Sequence, residues 1–226
     1  MGPGCVFHDR FVLAGPVGDP AGVRDAKDVR EAVRRIREKM KRWWSRGDGS
    51  ATMVKEREIW TAALAEAAEA GEGGLKPWED DVAKGKGGWY QMSLDSPAEA
   101  LKEADRAGAY ILTDRSTLLR QTWLGEIHNT TVFFEPLDER DGLMNSCYVS
   151  YPSRRSPGVW KRAVETMRFV GYLFSERGQR VIASYGREEV GGFELFTGYK
   201  EGCAKRRLRG GRPVGGKWRM DREAKL

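Results

Sequence analysis

The stretch Trp43-Trp44-Ser45-Arg46-Gly47-Asp48-Gly49-Ser50-Ala51-Thr52 decides how the chain is read. A short extended piece, Arg42 to Ser45, gives way to a turn rich in glycine, hydroxyls and charge. Gly47 and Gly49 permit backbone angles that other residues avoid. Beyond the turn, Ile59, Trp60, Ala63, Leu64 and Ala67 recur at helical spacing, which predicts a helix over about residues 52–70. Strand, polar turn and helix in this order are the grammar of an α/β fold.

The same grammar repeats outward in both directions. Upstream, Phe11 to Pro16 is an apolar strand stopped by a turn through Asp19, Pro20 and Gly22. Val29, Ala32, Val33, Ile36 and Met40 then mark one buried helical face. Downstream, a Gly/Lys/Asp-rich loop over residues 71–88 leads to an extended piece, Trp89 to Leu94. Ser96-Pro97-Ala98-Glu99 combines an N-cap serine, proline at the first helical position and glutamate at the third, a capping box. Its helix buries Ala100, Leu101 and Ala104, and Gly108 stands where the chain leaves it. Thr131 to Phe134 and Leu143 to Tyr151 read as strands. A long helix after Pro157 and a shorter one from near Ser175 to Tyr185 follow.

A second corner matches the first. The strand Ala109-Tyr110-Ile111-Leu112 runs into Thr113-Asp114-Arg115-Ser116-Thr117, again hydroxyl-rich and arginine-bearing before a helix. A helix N-terminus offers amide N–H groups without intrahelical partners and a favourable dipole for negative charge. Hydroxyls add neutral donors, and arginine adds a fork matched to an oxyanion. Two such corners could cradle a tetrahedral dianion. The plainer alternative is that Asp and Ser only cap helices. Arg46-Gly47-Asp48 also spells an adhesion tripeptide, a match that chance produces readily.

Composition excludes several classes. The 226 residues are 40% hydrophobic and 32% charged, enough for one or two cores and too apolar for wholesale disorder. No run approaches the length of a membrane span. Met1 to Cys5 lacks a basic region followed by an apolar one, so either the protein stays in the cytosol or its true N-terminus lies upstream. The net charge of +6 resides in residues 204–226, leaving a near-neutral body; this Gly-rich segment reads as a disordered basic tail. No specific nucleic-acid partner is expected, although such a tail could touch phosphates. Cys5, Cys147 and Cys203 with His8 and His128 form no metal-ligand spacing. There is no nucleophile–base pair and no cofactor loop, so no catalytic residue, metal or cofactor is assigned.

Several landmarks then resemble the tungstate-binding periplasmic proteins. They are Phe11 to Pro16 with Asp19-Pro20-Ala21-Gly22; Ser45-Arg46-Gly47-Asp48 with Ser50, Thr52, Glu58 and Trp60; and Trp89-Tyr90. Gly108 to Thr117, Met144 to Tyr148, and Ser175-Glu176-Arg177-Gly178-Gln179 complete the series, in order over roughly residues 6–197. The resemblance implies a type II periplasmic-binding-protein-like α/β fold with the second lobe complete and the first partial. Residues 1–15 would form an outgoing crossing strand and residues 16–140 the second lobe. Residues 141–200 would form a returning strand with the remnant of the first lobe, and residues 201–226 the tail. It also implies an extracytoplasmic, monomeric receptor holding tungstate or molybdate for the membrane component of an ABC importer. Carried over, Ser45, Arg46, Ser50 and Thr52 are the leading ligand-binding candidates, with Thr113 and Arg115 behind them.

The sequence departs from that family in three ways. No threonine/serine-rich first-lobe turn is present, Ala51 stands where the family has glycine, and the tail is no family feature. Cys5 and Cys147 fall on strands that would run close together; both a disulfide and two buried thiols remain open. His8 is expected at a strand edge without catalytic duty. Trp43, Trp44, Trp60, Trp123 and Trp160 are expected in core and lobe-edge packing. Two other functions stay in view: a fragment that keeps the fold without binding, and a protein associated with nucleic acid through its tail.

Overall fold

The apolar strand read from Phe11 to Pro16 begins earlier in the chain, at Gly4. In the computed structural model, β1 spans Gly4–Pro16, and its residues serve two compact units in turn. One unit gathers residues 11–135 and 208–226, the other residues 1–10 and 136–207. The structure describes residues 4–71, 74–85, 87–138, 140–150 and 163–200, together with the backbone of 211–214 and 217–220.

In the larger unit, β2 (Trp43–Ser45) lies between two parallel neighbours, β3 (Tyr90–Met92) and β4 (Tyr110–Asp114). The second half of β1 joins β4 antiparallel, pairing Val12 with Thr113, and β5 (Thr130–Phe134) closes the order β3-β2-β4-β1-β5. The helices are α1 (Val29–Glu38), α2 (Ala51–Glu69), the single turn α3 (Asp81–Lys84), α4 (Pro97–Ala107) and α5 (Arg115–Trp123). Packing pairs α1 with α2 and α4 with α5. The core between them is aromatic and aliphatic. Trp43 meets Trp60 edge to face with ring centres 5.2 Å apart, and Ile36, Met53, Tyr110 and Leu112 are fully buried.

Local chemistry explains the helix ends. Asp28 caps α1 by accepting from the amides of Arg30 and Glu31. Ser96 accepts from the Glu99 amide at 3.3 Å, and Gly108 leaves α4 in the left-handed region at φ 61°. The Glu99 side chain pairs with Lys102 rather than reaching back, so the capping box is half made.

In the smaller unit, the first half of β1 pairs with β6 (Met144–Val149) and with β7 (Thr197–Gly198). The helices α6 (Ala163–Phe174) and α7 (Glu176–Ser184) follow. Ser175 caps α7 through the Gly178 amide at 3.1 Å. A side chain on Gly178 would start 2.0 Å from the Tyr172 carbonyl oxygen, which is why glycine stands there. Gln179 donates to the carbonyls of Val6 and Leu173 and accepts from the Tyr199 amide, joining three segments. The Ser-x-x-Gly-Gln landmark is thus a structural clip.

Three expectations change. His8 is interior, not at an edge: it pairs with Ser146 on one side and Thr197 on the other, and its Nδ1 lies 2.8 Å from the Ser146 hydroxyl. Cys147 is a free thiol, and both Cys5 and Cys147 are half-buried rather than buried. In the ladder Cys5 faces Tyr148 and Cys147 faces Phe7, with a register shift between, so they are not directly opposite. Burial, with Asp9 and Cys5 nearby, pushes the Cys147 thiol up to about 11. Within the segment read as unstructured, β8 (Gly211–Val214) and β9 (Lys217–Met220) pair antiparallel. Two glycines lie between them in sequence, the composition that short hairpin connections favour. Trp123 is partly exposed, and Trp160 and Cys203 lie outside the described residues.

Candidate functional site

The two corners singled out in the sequence leave adjacent parallel strands. β2 and β4 pair in register, Trp43 with Tyr110 and Trp44 with Ile111, so both strands deliver their turns at the same edge of the sheet. From β2 the chain crosses through α2 to β3, and from β3 it crosses back through α4 to β4. Right-handed crossovers running in opposite directions place α2 and α4 on opposite faces of the sheet. The exits of β2 and β4, into α2 and into the α4-packed α5, therefore diverge at a topological switch point, where α/β sheets bind ligands.

At the first corner, Gly47 takes φ 64°, and the turn folds back against Met92 and Ser93. The Ser93 amide donates to the Ser45 carbonyl at 2.9 Å. Arg46, 12% exposed, places its Nη2 on the Asp48 carboxylate, and its buried Nε has no partner. Asp48 also accepts from the Ser50 amide at 3.1 Å and hydroxyl at 2.5 Å. Partial burial opposes ionisation of Asp48, but the Ser50 bonds and the Arg46 charge outweigh it and hold the carboxyl below its usual range. Ser50 caps α2, accepting from the Met53 amide at 3.3 Å, so both sides of its hydroxyl are engaged within the turn. Thr52 is buried in the first helical turn.

Ser45 is oriented into the core. Its Oγ is fully buried and donates to the Met53 sulfur at 3.2 Å. Behind it lies Glu56, 2% exposed, which accepts from the Tyr90 hydroxyl at 2.6 Å.

At the second corner, Asp114 caps α5 by accepting from the Thr117 amide and the Ser116 hydroxyl, both at 2.7 Å. Thr113 is buried in the ladder beside Val12. Arg115 is fully buried, with its Nε 4.0 Å from a carboxylate oxygen of buried Glu135.

Chemically, these corners supply two guanidinium groups, two helix N-termini and several hydroxyls, a set suited to a small anion. Two acids matter here that the sequence reading left out of the site. Asp48 was quoted within the motif but given no role. Glu56 was passed over for Glu58, which is exposed and pairs with Lys55 at 2.6 Å. Periodicity would have found it: Glu56, Ile59 or Trp60, Ala63 and Ala67 follow one helical face, and all are buried.

No protein-family model matches the chain. Among curated proteins it is 29% identical to a candidate ABC transporter anion-binding protein of Haloferax volcanii, over 84% of this chain and 49% of that one. It is 27% identical to the tungstate-binding protein TupA of Peptoclostridium acidaminophilum, over 85% of this chain and 59% of that one. The chain thus spans between half and three fifths of the length of these relatives. Among solved structures, the tungstate ABC transporter protein of Geobacter sulfurreducens is 26% identical, with a TM-score of 0.57 over 82% of this chain and 68% of that one. The tungstate-binding protein TupA of Desulfovibrio alaskensis shares the fold, with a TM-score of 0.63 over 88% of this chain and 69% of that one, at 24% identity.

Fold and corners together define an α/β protein of the periplasmic-binding-protein type. Within that class the chain is similar to tungstate-binding proteins, the resemblance that the landmarks around Ser45-Arg46-Gly47-Asp48 carry in the sequence.

Proposed function

We propose that the two corners bind a tetrahedral oxyanion, tungstate or molybdate, and that the protein acts as a substrate-binding component of ABC-type transport outside the cytoplasm. The observation carrying this reading is the placement of two arginine-bearing helix starts on neighbouring parallel strands at a switch point. In this reading Arg46 faces the ligand with the Nε edge that Asp48 leaves open. Arg115 contributes charge from the second corner, Thr113 its position at the strand end, and Thr52 the first turn of α2. Ser50 serves indirectly, by fixing Asp48. The protein holds its ligand without chemistry; no catalytic step or cofactor belongs to the proposal.

A thermal-shift titration tests it. A ligand at 100 times its Kd raises stability by about 2.7 kcal/mol. Tungstate or molybdate should raise Tm where sulfate or phosphate at equal concentration does not, and Arg46→Ala should abolish the shift. An unaltered shift in that variant removes Arg46 from the site.

A second reading has its own observation. Arg46 already has a carboxylate partner and Arg115 stands beside Glu135, so both cations have internal anions. A scaffold that keeps the fold and binds nothing would look the same at these two residues, and would show no shift with any oxyanion.

A further inference from the structure

The two edges of the larger unit's sheet differ. β3, at one end of the order, is three residues long and exposed at Met92. β5, at the other end, runs through Thr130-Thr131-Val132-Phe133-Phe134, and every one of these residues is buried. They are strong strand formers without charge or proline, the composition of an edge that recruits another strand. One side of β5 is taken by β1. Phe133 is covered by the Tyr110 ring at 5.8 Å and by the Arg24 guanidinium at 5.6 Å.

The β8–β9 hairpin accounts for the other side. Residues 208–226 belong to the same unit as β5, and there β8 lies against β5 and β9 against α5. The α-carbons of β8 come within 8 Å of those of β5, closer than the roughly 10 Å that separates stacked sheets. β8 therefore flanks β5 rather than lying over a face, and it does so without joining the ladder. The rungs of the hairpin alternate in character. Gly211 with Met220 and Pro213 with Trp218 are apolar, whereas Arg212 with Arg219 and Val214 with Lys217 carry the charge. Such alternation belongs to a strand pair with one side against a core and the other toward water. A solvated charge run has no such period.

We propose that the hairpin is a cover for the β5 edge, and that this edge is a strand-pairing surface whose partner, once the cover is lifted, is the β5 edge of a second copy. Two identical edges paired antiparallel about a twofold axis are self-complementary, so the pairing closes as a dimer. With the hairpin docked the edge is withheld and the protein stays a monomer. The inference stands whether or not the corners bind an oxyanion.

The test is made on the full chain. Trp218→Asp puts a charge on an apolar rung; Arg219→Asp, on a basic rung, is the control. Hydrogen exchange read by mass spectrometry on peptides covering residues 130–134 and 211–220 reports the cover. Sedimentation velocity over a wide range of concentration reports the partner. In wild type both peptides should be protected and the protein monomeric throughout. In Trp218→Asp at low concentration both peptides should exchange about tenfold faster or more. A dimer of that variant should appear as concentration rises, while Arg219→Asp should match wild type. Unprotected residues 211–220 in wild type, or a β5 peptide unchanged by Trp218→Asp, overturn the cover. Equal effects of the two substitutions overturn it as well. A Trp218→Asp protein that opens its edge yet stays monomeric overturns the pairing surface. Should Trp218→Asp fail to fold, wild type alone decides, through the protection of residues 211–220 and its monomeric state.

Discussion

Asp48 and Glu56 show how two carboxylates with one side-chain chemistry diverge through their surroundings. Asp48 has a guanidinium, an amide and a hydroxyl to stabilise its charge, and is held down. Glu56 is surrounded by Trp43, Ser45 and Tyr90, and burial pushes it up. The stability consequence has a definite sign. The folded form of Glu56 binds its proton more tightly than the unfolded chain, whose value is near 4.5. Its contribution to stability is full below that value, falls as pH rises through the window up to about 7, and levels off above it. The fall amounts to about 3 kcal/mol. Denaturant unfolding at a series of pH values should show this slope in wild type and lose it in Glu56→Gln; a slope that survives the substitution assigns it to another group. At this scale the sequence revealed which residues form the corners but not where they point. Trp43, Trp44 and Ser45 follow one another with aromatics on both faces of the strand, so alternation could not tell that Ser45 lies on the buried side. Glu56, by contrast, was legible in the helical period.

At the scale of elements, most boundaries were legible because their chemistry is local. The Ser96 cap, the Pro97 start and the Gly108 exit of α4 stand where the sequence placed them. Ser96→Ala should lower stability by about 1 kcal/mol, measured as a shift in the urea midpoint with unchanged slope. The Gln179 clip was legible only as a landmark. Its bonds to Val6, Leu173 and Tyr199 join segments distant in sequence, which no local pattern reports. Gly178→Ala should cost about 3 kcal/mol or more, because the new methyl meets backbone that has no rotamer to yield. A loss under about 1 kcal/mol would mean that α7 shifts on α6 more freely than the packing suggests. The β8–β9 hairpin was missed because net charge dominated the reading of its segment. The Val214-Gly215-Gly216-Lys217 signal, two glycines between strand-forming flanks, was present.

At the scale of the whole molecule, the alternation of strands and helices made the fold class legible, and the order β3-β2-β4-β1-β5 adds what the sequence left open. Sequence alone placed two similar corners on one chain; only the pairing of β2 with β4 makes them neighbours. Crossovers in opposite directions open a crevice of the kind in which α/β sheets bind ligands, which is why the proposal places the anion there. The importer partner follows from relatives that are longer than this chain, so it belongs with the proposal. The central claim is that Arg46 and Arg115 serve one small anion. Anomalous scattering at the tungsten edge, from crystals of the protein grown with tungstate, tests this most directly. The account predicts one strong peak beyond the carboxyl ends of β2 and β4, within hydrogen-bonding reach of the Arg46 turn. A fully occupied tungsten peak elsewhere, or none at tungstate concentrations that saturate TupA proteins, would contradict it.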